Sequence, residues 1–334
     1  MSTELRPLGP DDLDDELLLD QLAGLLSARH REHRLAQPLL DPAWEQRARA
    51  RGLLAAALAD RSASGAVARQ GGRVVGFVLG RRRPGDLWGP NVWVEAAGLA
   101  VPDAAVKADL RAELARDLYA AAAQPWVDAG RTAHYVLVPA HDHVLVDAFF
   151  RLGFGLQHVH GARPPAPAGP LPDGVRVRLA GPADLPVLAR LDRELPLHQG
   201  RSPVFSAGVV PTEEEALQEW TESLDDPRFT NLVAELDGAV VGLAVAAGLE
   251  VSSQHQGPAA LDHAGYLGFA AVLPQARGRG AGRALGAAVL DWAHRCGHRS
   301  VVTDWRATNL LSSRTWPRLG FEPTFLRLHR VTGW

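Results

Sequence analysis

An internal duplication constrains this chain more than any other feature of its sequence. Three short segments of the first half recur in the same order in the second half, at a nearly constant spacing. The pairs are Leu5–Leu13 with Val177–Leu185, Gly72–Phe77 with Gly238–Leu243, and Arg151–Phe154 with Arg318–Phe321, at offsets of 172, 166 and 167 residues. Matches that keep one order and one spacing predict that a single architecture occurs twice.

A proline-rich stretch separates the two copies. Five of the nine residues from Pro164 to Pro172 are prolines, which disfavours both helix and strand ladders. A chain of 334 residues is also long enough to build two domains, each with its own core. The sequence therefore predicts a first domain over residues 1–162, a linker over residues 163–174 and a second domain over residues 175–334.

The residue pattern of each half alternates strands and helices. In the second half, Asp237-Gly238 separates two apolar runs and is typical of a tight hairpin turn. A helix is predicted from about Gly280 to Arg295, and its apolar spacing continues to Cys296, which is therefore expected in the core. The order predicts an α/β fold in which each half is a mixed β-sheet flanked by helices and contains one parallel crossover.

Composition and charge exclude several classes of partner. The net charge is −3, so the chain as a whole attracts neither nucleic acid nor an anionic membrane, and neither is expected as a partner. With one cysteine an internal disulfide is impossible, and the first residues lack the pattern of a signal peptide. We expect a cytoplasmic protein on these grounds.

The most informative segment runs from Val272 to Leu285, where a predicted strand leads directly into a glycine-rich helix start. Unpaired N–H groups at a helix N-terminus bind phosphate, and glycines let a phosphate approach them closely. Neighbouring arginines would add charge-assisted hydrogen bonds. The glycines are Gly278, Gly280 and Gly282, and the arginines are Arg277, Arg279 and Arg283. The segment predicts a site for a phosphate-bearing ligand.

Two nucleotide-binding motifs, the P-loop and the dinucleotide fingerprint, match this segment only in part. A P-loop requires Gly-Lys-Ser/Thr, and Gly282-Arg283-Ala284 supplies no hydroxyl for magnesium. A dinucleotide fingerprint would need glycine at position 283, although Asp304 follows at the place of a ribose-binding acid. Nucleotide hydrolysis is thereby excluded, and dinucleotide binding stays open as a remote alternative.

The segment resembles the acyl-CoA motif of the GNAT N-acetyltransferase superfamily, Arg/Gln-x-x-Gly-x-Gly/Ala, at Arg277–Gly282. The family's strand before this motif ends Val-x-Pro, as Val272-Leu-Pro274 does, and its later Asn…Gly-Phe signature is approached over Asn309–Phe321. The resemblance covers Val175–Arg330 throughout and the first half only in outline. It implies two tandem GNAT-like domains and acetyl-CoA as the acyl donor.

The resemblance also implies residue roles around the donor. Backbone groups of the cofactor strand would hold the pantetheine arm, the glycine-rich turn would hold the pyrophosphate, and an asparagine would lie where two strands splay apart. A tryptophan takes the place of the tyrosine that often protonates the leaving thiolate. The implied positions are Ala270, Ala271 and Val272 on the strand, Arg277, Gly278, Arg279, Gly280, Ala281, Gly282 and Arg283 in the turn, then Asn309 and Trp316.

The acid and base of the reaction are not evident from the sequence. Indole cannot replace a phenol as proton donor at Trp316, so other polar groups near the cofactor strand are candidates. These candidates are His263, Tyr266 and Glu250, with Asp262 beside them. No residue spacing, including that of His198 and Glu213, matches a metal site.

The sequence thus predicts an N-acetyltransferase that acts on a primary amine of a small molecule or peptide. A non-catalytic acyl-CoA-binding module or sensor remains the alternative, because Trp316 replaces the usual acid. Neither the acceptor nor the oligomeric state follows from the sequence.

The first half lacks the chemistry of the second. Its strand over Val92–Val101 corresponds to the cofactor strand, yet Pro102–Arg111 contains no glycine. Side chains there would crowd a pyrophosphate, and Asp103 and Asp109 would repel it. We expect the first half to bind no acyl-CoA and to serve as a degenerate support for the second.

Overall fold

The computed structural model describes residues 3–84, 87–102, 106–206 and 208–333, which form two compact units. The first unit takes the described residues of Met1–Val159, Gln256–Ala260 and Thr324–Trp334, and the second takes His160–His255 and Leu261–Pro323. These units differ from the predicted boundaries in several segments, which include Gln256–Ala260 in the first unit and residues 160–162 in the second. The last strand of the chain folds with the first unit, and the predicted linker folds with the second.

In the described part of the first repeat, four α-helices and seven strands are formed. The helices are α1 (Glu16–Ala36), α2 (Arg47–Leu58), α3 (Ala108–Asp128) and α4 (His143–Arg151). The strands are β1 (Glu4–Leu8), β2 (Ser64–Gln70), β3 (Arg73–Gly80), β4 (Asn91–Val94), β5 (Leu99–Ala100), β6 (Ala133–Pro139) and β7 (Gly155–Arg163). Strands β1, β2, β3 and β5 form a four-stranded sheet in the order β1-β2-β3-β5. Strand β4 pairs in parallel with β6.

The second repeat has the same succession of elements, except that it has one long strand where the first repeat has the two short strands β4 and β5. Its helices are α5 (Leu185–Gln199), α6 (Glu213–Ser223), α7 (Ala281–Arg295) and α8 (Ser312–Arg318). Its strands are β8 (Val175–Leu179), β9 (Phe229–Leu236), β10 (Ala239–Gly248), β11 (Ala264–Val272), β12 (Ser300–Arg306) and β13 (Glu322–Val331). The order β8-β9-β10-β11-β12 is antiparallel except that β11 and β12 are parallel. The predicted mixed α/β architecture is confirmed.

The final strand of the chain pairs with a strand of the first unit. Phe325–Val331 of β13 pair antiparallel with Ala133–Pro139 of β6. β7 and β13 follow the same Arg-Leu-Gly-Phe segment, so the local sequence does not specify which strand each one pairs with. The sheet partner is decided by tertiary pairing, and the predicted boundaries missed it for that reason.

The segment predicted as a linker lies against α7. The Ala166 N–H donates to the Leu290 carbonyl at 3.4 Å, and the Ala168 N–H donates to the Asp291 carboxylate at 3.0 Å. Proline has no N–H to donate, but the alanines between the prolines still supply these two donors. The segment is therefore irregular in conformation and ordered by contacts with a helix.

The apolar face of α7 is buried, as its sequence spacing predicts. Leu285 and Val289 are fully buried, one helical turn apart. Cys296 is exposed, and the prediction that it lies in the core is wrong. The helix ends at Arg295 and Cys296 is its C-cap, so the helical spacing no longer sets the direction of its side chain.

Over the described residues, no helix combines the length and apolar character needed to cross a bilayer.

Candidate functional site

A cleft of about 400 Å³ opens in the second unit where two parallel strands diverge. β11 and β12 pair from Ala264↔Ser300 to Leu267↔Thr303, and both strands continue beyond that point. The register of β11 against β10 shifts here, because Leu267 and Phe269 face adjacent residues of β10 and Gly268 is the extra residue. The bulge ends the pairing with β12, and the two strands splay apart.

The predicted strand residues line this cleft. Ala270, Ala271 and Val272 are all on its wall, and on one edge they are paired with β10. The parallel pairing with β12 stops at Leu267, so the other edge of β11 faces the cleft along this stretch. A strand edge with open N–H and C=O groups is suited to an extended chain that bears amides.

The glycine-rich turn lies at one end of the cleft and has a backbone that favours glycine. Gly278 and Gly280 have φ values of +79° and +93°, in the left-handed region. Gly280 is the N-cap of α7, and a Cβ added at Gly278 would meet no atom within 4 Å. The space beside the first N–H groups of α7 is therefore open to an anion.

The three arginines of this turn have different environments. Arg277 lines the cleft and donates through Nε to the Val272 carbonyl at 3.2 Å, and its guanidinium lies 3.7 Å from Glu194. Arg283 also lines the cleft and is exposed. Arg279 is not part of the wall, because its guanidinium pairs with Asp237 at 2.8 Å. The predicted role of Arg279 in phosphate binding therefore has no geometric support.

Two more of the predicted residues, Asn309 and Trp316, line the cleft. Asn309 is buried, and its Oδ1 accepts the Leu311 N–H at 3.1 Å and lies 3.2 Å from His198 Nε2. Trp316 is buried against the cleft, and its ring contacts Phe321 edge to face. A large apolar ring in this position packs the wall.

The structure does not bring the three predicted acid and base candidates onto the cleft wall. His263 precedes β11 at the end remote from the bulge, with 74% of its side chain exposed. Glu250 is exposed in the turn that follows β10. Tyr266 lies one hydrogen bond behind the wall, and its hydroxyl donates to Asp304 Oδ1 at 3.0 Å. Asp304 itself lines the cleft.

Several residues of the wall were missed by sequence reasoning. They lie on α5, α8 and the loop before α8, and they include Glu194, His198, Ser312, Thr315 and Arg318. Arg318 is part of the repeated Arg-Leu-Gly-Phe segment, which gave no sign of a role in binding. The residues of α8 lie within the Asn309–Phe321 segment, whereas Glu194 and His198 lie more than 100 residues earlier on α5, so the packing of the unit brings the two helices to one wall.

The arrangement is suited to an elongated anionic ligand. Its phosphate groups would meet the N-terminus of α7 with Arg283, and an extended arm would follow the edge of β11. Over the described residues, no group of three or more His, Cys, Asp and Glu side chains is placed to hold a metal ion.

In the first unit, two arginine side chains bind backbone carbonyls near strand β5. Arg29 is buried and donates to the carbonyls of Ala96 and Leu99, between β4 and the end of β5. Arg111 donates to the Pro102 carbonyl at 2.8 Å and to Asp142 at 2.6 Å.

Two aspartates of the first unit, Asp103 and Asp109, were expected to repel a pyrophosphate. Asp109 is exposed in the first turn of α3, whereas Asp103 lies outside the described residues.

Comparison with known proteins relates this chain to acetyltransferases. The family model described as Acetyltransferase (GNAT) family matches residues 196–321. An aminoglycoside N(6')-acetyltransferase type 1 of Stenotrophomonas maltophilia is 31% identical over 151 residues, which cover 44% of this chain and 86% of that protein.

Two solved structures share the fold over nearly the whole chain. A GCN5-related N-acetyltransferase from Sphaerobacter thermophilus superposes with a TM-score of 0.56 at 17% identity, covering 99% of this chain and 97% of that one. A glucosamine N-acetyltransferase region of a fungal multi-domain β-N-acetylglucosaminidase has a TM-score of 0.52 at 17% identity, covering 98% of this chain and 38% of that one.

Proposed function

Since the chain belongs to the GNAT family of acetyltransferases, we propose that its second unit transfers the acetyl group of acetyl-CoA to a primary amine. The observation that carries this proposal is the continuity of two binding surfaces in one cleft. The open edge of β11 leads directly to the glycine cradle at the N-terminus of α7.

The residues present fit an acyl-CoA donor. The space beside Gly278 would be filled by a side chain, and it adjoins helix N–H groups that suit a pyrophosphate. Arg283 and Arg318 add positive charge on two sides of the cleft. Ala270 and Val272 offer backbone groups to the amides of a pantetheine arm. The bound donor would supply a thioester whose carbonyl carbon an amine can attack.

The chain's own residues would orient this attack. A backbone N–H on the open edge of β11 is available to stabilise the oxyanion that develops on the thioester. Trp316 packs the wall of the cleft and closes it to water, and we assign it no proton transfer. An ordinary thiol, with a pKa near 8.5, can leave without a strong acid at that position.

The acceptor we propose is a small molecule that carries amino groups. The relative from Stenotrophomonas maltophilia is named for the acetylation of an aminoglycoside, which supports a polyamine of that kind ahead of a peptide. A non-catalytic acyl-CoA-binding module remains the second candidate, favoured by Trp316 in the usual tyrosine place. The dinucleotide alternative is not retained.

Steady-state thiol release with a panel of amines tests this function. We expect the purified protein to release CoA from acetyl-CoA only when an amine acceptor is present, and mass spectrometry should find the acceptor heavier by one acetyl group. Acceptors in the panel should include aminoglycosides, linear polyamines, amino acids and peptides. Tight acetyl-CoA binding without acetylation of any amine would instead support the binding module.

We further propose that the first unit binds no acyl-CoA. Its own arginines already bind the carbonyls that border the corresponding strand break, as Arg29 and Arg111 show. Titration calorimetry with acetyl-CoA should give one site per chain. Two equivalent sites per chain would contradict the division between a binding and a degenerate copy.

A further inference from the structure

We propose that three histidines of the first unit, His30, His33 and His141, form an acid-sensitive latch. While their rings are neutral, they hold α1 against the start of α4 and against β13, and when the rings gain protons they release α1. We call these three residues the histidine latch. This inference concerns the first unit alone and does not depend on the proposed acetyl transfer.

The rings of the histidine latch come from two places that are far apart in sequence. His30 and His33 lie about one turn apart on α1, and His141 lies between β6 and α4. The His33 ring stacks on that of His141, with centroids 4.7 Å apart and planes inclined by 20°. Phe325 of β13 meets the His33 ring edge to face, also at 4.7 Å. His33 therefore connects α1 with both the start of α4 and β13.

The latch is buried, and its ring nitrogens have few hydrogen-bond partners. His30 and His33 are 0% exposed, and His141 is half-buried. Within the described chain, Nδ1 of His30 and Nδ1 of His141 have no hydrogen-bond partner, and neither nitrogen of His33 makes a hydrogen bond of good geometry. In an imidazolium both nitrogens carry a hydrogen, so each protonated ring would hold a buried N–H without a good acceptor.

The surroundings favour the neutral form of all three rings. His30 Nε2 lies 2.8 Å from the Asp41 carbonyl oxygen, which can only accept, so Nε2 carries the hydrogen of the neutral ring. Burial lowers the pKa of His30 to about 4. Burial also lowers the pKa of His33 to about 2, although the nearby Thr324 backbone favours its charged form. The pKa of His141 is lowered by burial as well.

A buried cation beside the latch opposes its protonation. Arg29 is 5% exposed and donates to the carbonyls of Ala96 and Leu99. Burial lowers the pKa of Arg29 to about 10, so it remains charged at neutral pH. Its charge lowers the pKa of each histidine of the latch. Protonated rings would thus add positive charge to a buried region that already contains a cation.

The carboxylates near the latch are already paired with arginines. Asp142 favours the charged form of His141, but it pairs with Arg111 at 2.6 Å. Glu45 favours the charged form of His30, but it pairs with Arg34. Other charged groups on the neighbouring elements are cationic or belong to ion pairs, and they are His143, Arg31–Glu45, Arg47–Asp20, Arg49–Asp41 and Arg51–Glu16. Protons on the latch would therefore add to a local excess of positive charge.

The lowered pKa values set the direction of the pH response. Once α1 is released, the rings reach water and regain a pKa near 6.5, so the released state binds more protons below that pH. The latch is therefore stable above about pH 6.5 and weakens as the pH falls below it. Between pH 7.5 and 5.5, each of His30 and His33 should raise the equilibrium for release about tenfold, because their pKa values in the closed state lie below this range.

Amide hydrogen–deuterium exchange of the full chain, read by mass spectrometry, tests the wild-type response. The rate for each α1 peptide at pH 7.5 and at pH 5.5 is divided by the rate of the same peptide in the urea-unfolded chain at the same pH, which removes the intrinsic effect of pH. We expect the opening equilibrium of α1 to rise about 100-fold or more between the two pH values. An opening equilibrium that is equal at both pH values would overturn the proposal.

His33→Leu is the decisive variant, because leucine fills the site without a titratable group. It should reduce the rise in α1 opening by about tenfold, since one proton is no longer taken up. Circular dichroism at pH 7.5 checks that the variant folds. His141→Leu alters the half-buried ring of the same stack and should reduce the rise at least about twofold, which keeps the test decisive if His33→Leu does not fold.

Leu22→Val is the matched control for a general loss of stability. Leu22 is fully buried on α1, so the smaller side chain loosens the helix without removing a titratable group. Opening of α1 should increase by the same factor at both pH values, which leaves the ratio between them as in the wild type. A wild-type ratio in both His33→Leu and His141→Leu would show that the protons are taken up elsewhere, and the latch would be disproved.

Discussion

Replacing Gly282 with valine should weaken acetyl-CoA binding at least about 100-fold, equivalent to about 2.7 kcal/mol, without unfolding the protein. Gly282 is in the first turn of α7 and lines the cleft. A Cβ there would meet only Val272 Cγ2 within 4 Å, at an ordinary contact distance of 3.6 Å. Valine is also no worse than glycine in a helix, so the added methyl groups should obstruct the ligand and spare the fold.

Position 282 gives a sharper test than the neighbouring glycines. Gly280 has a φ of +93°, and its Cβ would lie 2.7 Å from Pro172, so a substitution there would strain the backbone and displace the segment packed on α7. Gly278 has open space around it, but its φ of +79° disfavours any side chain. A loss of binding at either position would mix steric exclusion with structural damage.

Calorimetry and far-UV circular dichroism measure the two parts of this prediction. Ala287→Val is the matched control, because it adds the same branched side chain to α7 outside the cleft wall. It should bind acetyl-CoA as the wild type does. Wild-type affinity in Gly282→Val, with helix content preserved, would place the phosphate groups elsewhere.

Replacing Arg111 with leucine should destabilise the first unit by about 3–5 kcal/mol. The Arg111–Asp142 pair has only 8% and 7% of its side chains exposed, at a distance of 2.6 Å. Removing the cation leaves Asp142 buried without that partner, and it also removes a donor from the Pro102 carbonyl. Asp142 caps α4 by accepting the Leu145 N–H, so the loss should reach that helix.

Urea unfolding followed by circular dichroism measures this effect, with Arg151→Leu as the control. Arg151 forms a comparable pair with Asp147 at 2.8 Å, but 69% and 57% of these side chains are exposed. Exposed pairs of this kind contribute little, so the control should differ from wild type by no more than about 0.5 kcal/mol. Equal losses in the two variants would show that burial does not set the importance of the Arg111 pair.

Sequence reasoning located the parts of the cleft that depend on neighbouring residues, and it did not locate the contacts between residues far apart in the chain. The strand and glycine-rich turn over 270–283 were predicted because their geometry is encoded within a few residues, by glycines at positive φ and by the start of a helix. Arg279 lies outside the cleft wall and pairs with Asp237, a contact that depends on the hairpin between β9 and β10 and that no local motif predicts.

The acid and base candidates illustrate the same limit. His263, Tyr266 and Glu250 were chosen for their nearness in sequence to the cofactor strand, and none of them lines the cleft. The pairing of β11 with β12 brings the Tyr266 hydroxyl within hydrogen-bond distance of Asp304, which lies 38 positions away in the chain. A sequence motif does not predict such a contact, because its geometry depends on the register between two strands.

The sequence by itself determined the duplication, the succession of elements in each copy and the glycine-rich helix start of the second copy. These follow from local periodicity, turn chemistry and glycine, all of which act between neighbouring residues. The tertiary structure alone decided that β13 pairs with β6 and that the proline-rich segment lies on α7. Each of these contacts depends on which elements pack against each other, and the free energy of packing the whole chain determines those partners.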